Sequence, residues 1–275
     1  MDKRLLEILT NKPVIVFDLP DWMLPASTIK EIKDTGNTAI AEIAGRDSIA
    51  AAIRACEMLP IKAIVPTIVY TSTEFGDWEI LSNKITFLKE RFNRYGLKVF
   101  DPVFLGDPKL WNVLCGRLAA HLFRIFGFYT PCAGCHLYIH AIRVPLAKML
   151  NCTMVIGGER ESHDGKIKLN QVNIALDSYT KLLEKFHVEL ILPLRPIDSG
   201  QTIAAIIGGG YEDGRQLECV MSKNYQEIDG TVSYDYMALK RFFDEFALKI
   251  AERAVRSYLE KETPDYARLV AQYRD

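Results

Sequence analysis

The chain predicts an α/β fold: an open, mostly parallel sheet with helices on both faces and a helical extension at the C-terminal end. Two observations predict it. Short apolar runs of strand type alternate with amphipathic helical patterns, the order that builds βαβ units and right-handed crossovers. The runs are apolar throughout rather than alternating, as in strands covered by helices on both faces.

Each element has its own signal. Val14 to Leu19 reads as a strand, and Pro20 to Gly36 as irregular chain with a short helix. Ala39 to Ile43 is a strand that feeds a turn and then a helix, with Ile49, Ile53 and Cys56 on one stripe. Ala63 to Tyr70 follows as a strand despite Pro66. Glu79 to Tyr95 is a helix stopped by Gly96, and Lys98 to Leu105 a strand. Lys109 to Phe126 is one helix, and another opens near Cys132 and runs to Leu150. Thr153 to Ile156 is a strand ending in Gly157-Gly158. Leu169 to Phe186 is a helix, Val188 to Leu194 a strand, and Ala238 to Lys261 a long amphipathic helix. The expected division is a main α/β domain over 1–233 and a helical extension over 234–275 packed on it. Phe242, Phe243, Phe246 and Ile250 of the extension face either their own domain or a second copy in a homodimer.

Composition excludes several classes. The 275 residues are 49% hydrophobic and carry 34 Lys+Arg against 35 Asp+Glu, so the chain is globular and has no global basic field. No apolar run reaches the roughly 18 residues of a membrane helix. Met1 to Thr10 lacks the apolar core of a signal peptide. A cytoplasmic protein with no membrane partner is expected.

The strongest local motif is strand, turn, helix at Ile43-Ala44-Gly45-Arg46-Asp47-Ser48. Open parallel sheets collect ligands at the carboxyl ends of their strands. Free N–H groups at the helix start, with the macrodipole, make an anion site. Arg46 can pair with phosphate oxygens, Asp47 can hold magnesium or cap the helix, and Ser48 offers a hydroxyl. Phosphate binding and plain capping both fit this hexapeptide.

Six cysteines in a chain without a signal peptide do not make a disulfide framework. Cys56 and Cys115 lie in apolar helical patterns and read as core. Cys132 and Cys135 sit three positions apart around Ala133-Gly134, a spacing that lets two thiolates bind one metal centre or one redox partner.

The hexapeptide resembles the PP-loop of the ATP pyrophosphatases, whose usual form is Ser-Gly-Gly-x-Asp-Ser. Gly45, Asp47 and Ser48 match; Ile43 and Ala44 depart, removing one hydroxyl and limiting how closely the backbone folds around pyrophosphate. Further pieces follow in the family's order over about residues 37 to 208. These are Cys132 and Cys135, a helix with Arg143 and Lys148, the strand into Gly157-Gly158, the polar loop Glu159 to Asp164, and Leu192-Pro193-Leu194. The resemblance implies ATP and Mg2+ on Ala44, Gly45, Arg46, Asp47 and Ser48, with Gly158, His163 and Asp164 near the nucleotide. Arg46 and Asp47 are the expected catalytic residues.

Some relatives of this class that thiolate tRNA hold a [4Fe-4S] cluster on three cysteines, two from the Cys-x-x-Cys and a third well downstream. Cys219, 84 positions after Cys135, fits that layout and follows the glycine-rich stretch Gly208-Gly209-Gly210 and Gly214. Three protein ligands leave one iron open. A zinc site completed by His136 or His140, purely structural thiols, and Cys152 as a competing ligand remain open alternatives. So do a functional and a structural Glu42, Lys166 and Lys168 as phosphate ligands or surface residues, and Asp198-Ser199 as an N-cap. A basic strip at Lys89, Arg91, Arg94 and Lys98 could meet RNA phosphates.

The expected reaction is adenylation of a substrate carbonyl oxygen, on tRNA or a small molecule, followed by displacement of AMP by sulfur from a sulfide or other donor. ATP-independent removal of sulfur from a thiolated base, PP-loop amide formation, and non-catalytic nucleotide binding are the alternatives.

Overall fold

Five predicted apolar runs become the strands of one parallel sheet in the computed structural model, which describes residues 3–128, 130–211 and 216–273. Helices α1 (Lys3–Asn11) and α2 (Ala26–Thr35) precede the first strand, β1 (Thr38–Glu42). Then come α3 (Arg46–Met58), β2 (Ala63–Val69), the two-residue β3 (Glu74–Phe75) and α4 (Glu79–Asn93). The chain continues through β4 (Lys98–Val99), β5 (Val103–Leu105), α5 (Pro108–Cys115) and α6 (Ala119–Phe126). Next are α7 (Pro131–Ala141), α8 (Arg143–Leu150), β6 (Met154–Ile156), α9 (Asn173–Glu184) and β7 (Glu189–Ile191). It ends with α10 (Gly200–Ile207), β8 (Glu218–Cys219), α11 (Tyr236–Arg241), α12 (Leu248–Leu259) and α13 (Tyr266–Leu269).

The sheet runs β4-β2-β1-β6-β7, with β5 also on β2, and every pairing is parallel. β4 and β5 are two pieces of one edge strand. Pro102, which cannot donate to a ladder, lies between them, so the single strand expected there is broken. From β1 the chain steps outward through β2 to that edge, then returns to place β6 on the other side of β1. The strand order therefore reverses between β1 and β6, and ligands of open α/β sheets settle at such a switch point.

Several expected helices divide at identifiable residues. Gly116 ends α5, and α6 starts only at Ala119. Pro145 falls in the first turn of α8; lacking an N–H, it cannot continue the ladder from α7, and the two helices meet at Ile142. The long C-terminal helix contains a π-helical turn over Phe242–Ala247. The expected first strand is reduced to one bridge, Ile15 to Gly106.

The C-terminal helices share the main core. Phe242, Phe243, Phe246 and Ile250 are buried in it, and α12 packs on α7, α8 and α9. These residues thus face their own chain, not a second copy. No helix among the described residues is long and apolar enough to cross a membrane.

Candidate functional site

A cleft of about 780 Å³ opens at the carboxyl end of the sheet, at the switch point. Its walls include Ala44 to Ser48, Gly158, His163 and Asp164, together with Cys132, Cys135 and Cys219. Two groups predicted separately, the anion turn and the thiols, thus share one cavity. Its size falls within the 300–1,000 Å³ typical of small-molecule sites.

The turn is built by its own hydrogen bonds. Gly45 precedes α3, and the Ser48 hydroxyl accepts from Ala44 N (2.9 Å) while donating to Gly45 O (2.8 Å). Ser48 therefore closes the turn. Gly158 presses on the helix start: a Cβ there would lie 2.6 Å from Ser48 N and 2.7 Å from Ser48 Cα. Only glycine lets the loop after β6 approach α3 so closely.

Asp47 sits among cations. Its carboxylate meets Arg160 Nε at 3.0 Å, Arg46 Nε at 3.4 Å and His163 Nδ1 at 3.7 Å. Arg160 is fully buried and also donates through Nη1 to the carbonyls of Ile197 (3.2 Å) and Asp198 (2.8 Å). The half-buried Lys168 faces the same group, and burial lowers its pKa against the pull of Asp47. Burial, assisted by Lys168, lowers His163 to about 4, and its Nε2 meets Gln171 Oε1 at 2.8 Å. His163 is therefore neutral at pH 7. Four basic groups, Arg46, Arg160, Lys166 and Lys168, line the cleft around Asp47, which gives this wall a local excess of positive charge.

Asp164 is structural. Its Oδ1 accepts from Gly200 N at 2.8 Å and so helps start α10. Ser199 is the N-cap of that helix, accepting from Thr202 N, while Asp198 accepts from Gly165 N at 2.9 Å. The predicted cap is thus carried by Ser199, with Asp198 turned back to the preceding loop.

Cys132 lies in the first turn of α7 and Cys135 at the start of the next. Cys219 arrives on β8, which pairs antiparallel with β3 in the register Glu74 to Cys219. The segment downstream of the glycines contributes Gln216, Leu217 and Cys219 to the cleft wall; Gly214 lies outside the described residues. Each sulfur has a polar neighbour. Asn224 Nδ2 donates to Cys132 (3.1 Å), Trp111 Nε1 donates to Cys135 (3.3 Å), and Cys219 lies 3.3 Å from Thr73 Oγ1. Burial raises the Cys132 thiol to about 11 and holds the Cys135 thiol well above its ordinary value, so neither is an activated free thiol.

Among the described residues the three sulfurs do not form a group within 4.8 Å of one another. Thiolates around one zinc at about 2.3 Å would need to stand closer than that. His136 and His140 both turn to Glu159, at 3.3 Å and 2.7 Å, instead of completing a thiolate site. Cys152 and Cys115 are buried in the core, and Cys152 is not part of the cleft wall.

Glu159 and Arg160 are functional candidates that sequence reasoning passed over as members of a polar loop. The signal was their place, immediately after a strand end that closes on two glycines. The basic strip is partly neutralised: Lys89 pairs with Asp101 at 2.6 Å and Lys98 with Glu31.

No known protein-family model matches the chain. It is 40% identical over 238 residues to the uncharacterized protein MJ0009 of Methanocaldococcus jannaschii, covering 81% of this chain and 83% of that protein. The chain therefore belongs to the same family as MJ0009.

Proposed function

We propose that the protein is a cytoplasmic enzyme of the PP-loop ATP pyrophosphatase class that exchanges oxygen for sulfur on a base of tRNA or a small heterocycle. The observation that carries this reading is the shared cleft: a cationic turn at a helix start and three half-buried cysteines line one cavity. ATP and Mg2+ fit the turn chemically, since Arg46, Arg160 and Lys168 surround the single carboxylate Asp47. Three thiols on two elements, spaced wider than a one-ion site, fit a [4Fe-4S] cluster.

In this reading the substrate carbonyl oxygen attacks the α-phosphorus, the new O–P bond forms and pyrophosphate leaves. Arg46 and the N-terminal N–H groups of α3 stabilise the charge that develops on the phosphate. Asp47 keeps Arg46 and Arg160 oriented, and Mg2+ would reach its carboxylate. Sulfide as donor then forms a C–S bond while the C–O bond to AMP breaks, with no net oxidation. When bound, a cluster held by three cysteines supplies an open iron for sulfide. Trp111, Asn224 and Thr73 orient the three sulfurs, and the buried wall limits water.

A second reading, ATP-independent removal of sulfur from a thiolated base, is favoured by the state of Ser48. Its hydroxyl is spent inside the turn, and Gly158 covers its N–H.

Anaerobic purification with iron and sulfide counts tests the common core. About four of each per chain, lost in Cys132→Ala, Cys135→Ala and Cys219→Ala, is the expected result. Zinc alone, or no metal with unchanged variants, overturns it. Pyrophosphate release then separates the two readings: release with an unthiolated substrate, reduced about a hundredfold or more by Arg46→Ala, supports the first. Sulfide release without ATP supports the second.

A further inference from the structure

Beneath the cleft, Glu42, His140 and Glu159 bring one donor atom each to within 4.8 Å of the others. They come from three elements: Glu42 ends β1, His140 lies in the last turn of α7, and Glu159 follows β6. His140 is 0% and Glu159 2% exposed, and Glu42 is buried beside them.

Each of the three has one buried polar atom without a hydrogen-bond partner: Glu42 Oε2, His140 Nδ1 and Glu159 Oε2. Leaving such atoms unmet forfeits their hydration without a replacement partner, so a native interior rarely leaves buried polar atoms in this state. The surrounding protein is occupied elsewhere. Glu159 Oε1 is held by His140 Nε2 at 2.7 Å and His136 Nδ1 at 3.3 Å, which fixes where Oε2 points. Arg143 directs Nε to Thr67 Oγ1 (2.9 Å) and Nη1 to Ile139 O (3.2 Å), and stands 3.9 Å from Glu42 Oε2. Gly157 keeps space for the group: a Cβ there would lie 2.4 Å from Glu159 Oε2 and 3.2 Å from His140 Cε1.

We propose that Glu42, Glu159 and an imidazole nitrogen of His140 bind a divalent first-row transition ion, zinc or manganese, at a site separate from the three cysteines. Two carboxylates balance the charge of the ion. An imidazole nitrogen in the set disfavours calcium and magnesium, which take oxygen ligands, and the absence of sulfur from the set disfavours soft ions. Ligand bonds of about 2.0–2.2 Å require donor atoms about 3–4 Å apart, a spacing compatible with a group whose donor atoms lie within 4.8 Å of one another. Glu42 and Glu159 also line the cleft, so the site is reached from it. This site does not depend on the proposed sulfur chemistry.

The probe is Mn2+ added to the full chain after exchange into metal-free buffer, followed by isothermal titration and pulsed EPR. One ion per chain with nitrogen-14 coupling from a bound imidazole is expected. Glu42→Gln and Glu159→Gln should each weaken it by more than the roughly 10- to 100-fold that loss of an outer-shell partner costs. Cys132→Ala and Asp47→Asn should retain it, which separates this site from the cluster and from the nucleotide turn. No bound ion, no nitrogen coupling, or unchanged affinity in both Gln variants overturns the proposal. If the Gln variants do not fold, the wild-type protein decides: nitrogen coupling with a raised Tm supports the site, and loss of either overturns it.

Discussion

His163 illustrates how one residue's surroundings set its charge. Burial of its ring is the main force against protonation, and the cations Lys168 and Arg160 add to it. The unfolded chain takes up this proton near pH 6.5, the folded chain only at about 4. Between those values the unfolded state binds more protons, so stability falls as pH drops through the window and is restored above it. An NMR titration should place His163 near pH 4, and His163→Gln should flatten the acid limb of the stability curve. A folded-state value of 6.5 or higher would contradict the arrangement around Asp47. Asp47, Arg46 and His163 were recognisable in the sequence as site residues, while Arg160, the nearest partner of Asp47, was not. Gly-x-Asp-Ser after a strand is a local pattern. Arg160 lies 113 positions away; its place after Gly157-Gly158 marks the loop but not which of its side chains is the buried arm that reaches Asp47.

At the scale of elements, the close approach of the β6 loop to α3 brings Arg160 and His163 to the turn. Gly158→Ala would drive a methyl group into the backbone of Ser48, and neither partner is a flexible side chain that can yield. A loss of about 1–3 kcal/mol is expected, as for an overpacked core. Gly209→Ala, where an added Cβ meets nothing, should stay within about 0.5 kcal/mol of wild type. Urea unfolding of the two variants makes the comparison; equal effects would mean that the approach is not tight. Elements were legible where local chemistry dominates: the helix from Glu79 with Gly96 after its end, and the apolar run from Ala63 as a buried strand. The two-residue β3 and β8 were not, because their pairing joins segments 145 positions apart and neither has a periodicity of its own. The break at Ile142 was missed because α7 and α8 are both apolar, and their joint pattern reads as one helix.

The whole molecule is drawn together around Asp107. This fully buried carboxylate caps α5 through Oδ1, and its Oδ2 accepts hydroxyls from Tyr258 (2.5 Å) and Tyr266. The backbone N–H of Asp107 donates to Tyr138 Oη at 2.8 Å, whose hydroxyl in turn donates to Tyr70 O at 3.1 Å. The segments of Tyr258 and Tyr266 therefore meet the side chain of Asp107, and those of Tyr138 and Tyr70 are joined to it through its backbone N–H. Tyr258→Phe leaves the carboxylate one donor short in the interior and should cost about 1.5–3 kcal/mol, the range for a hydrogen bond to a charged group. Chemical denaturation reads this directly, and a change below about 0.5 kcal/mol would show that the tie to the C-terminal helices is dispensable.

The same tie sets an order for synthesis. Asp107 emerges from the ribosome long before Tyr258 and Tyr266, which follow it by 151 and 159 positions. At a translation rate of about 5–20 residues per second, that interval is on the order of ten seconds. Throughout it the sheet can form its local pairings, but the faces of α5, α7, α8 and α9 that α12 covers stay bare. The nascent chain thus presents an apolar surface that its own later helices close, and maturation of the cleft, whose Cys132 and Cys135 sit on α7, is completed after translation has passed them.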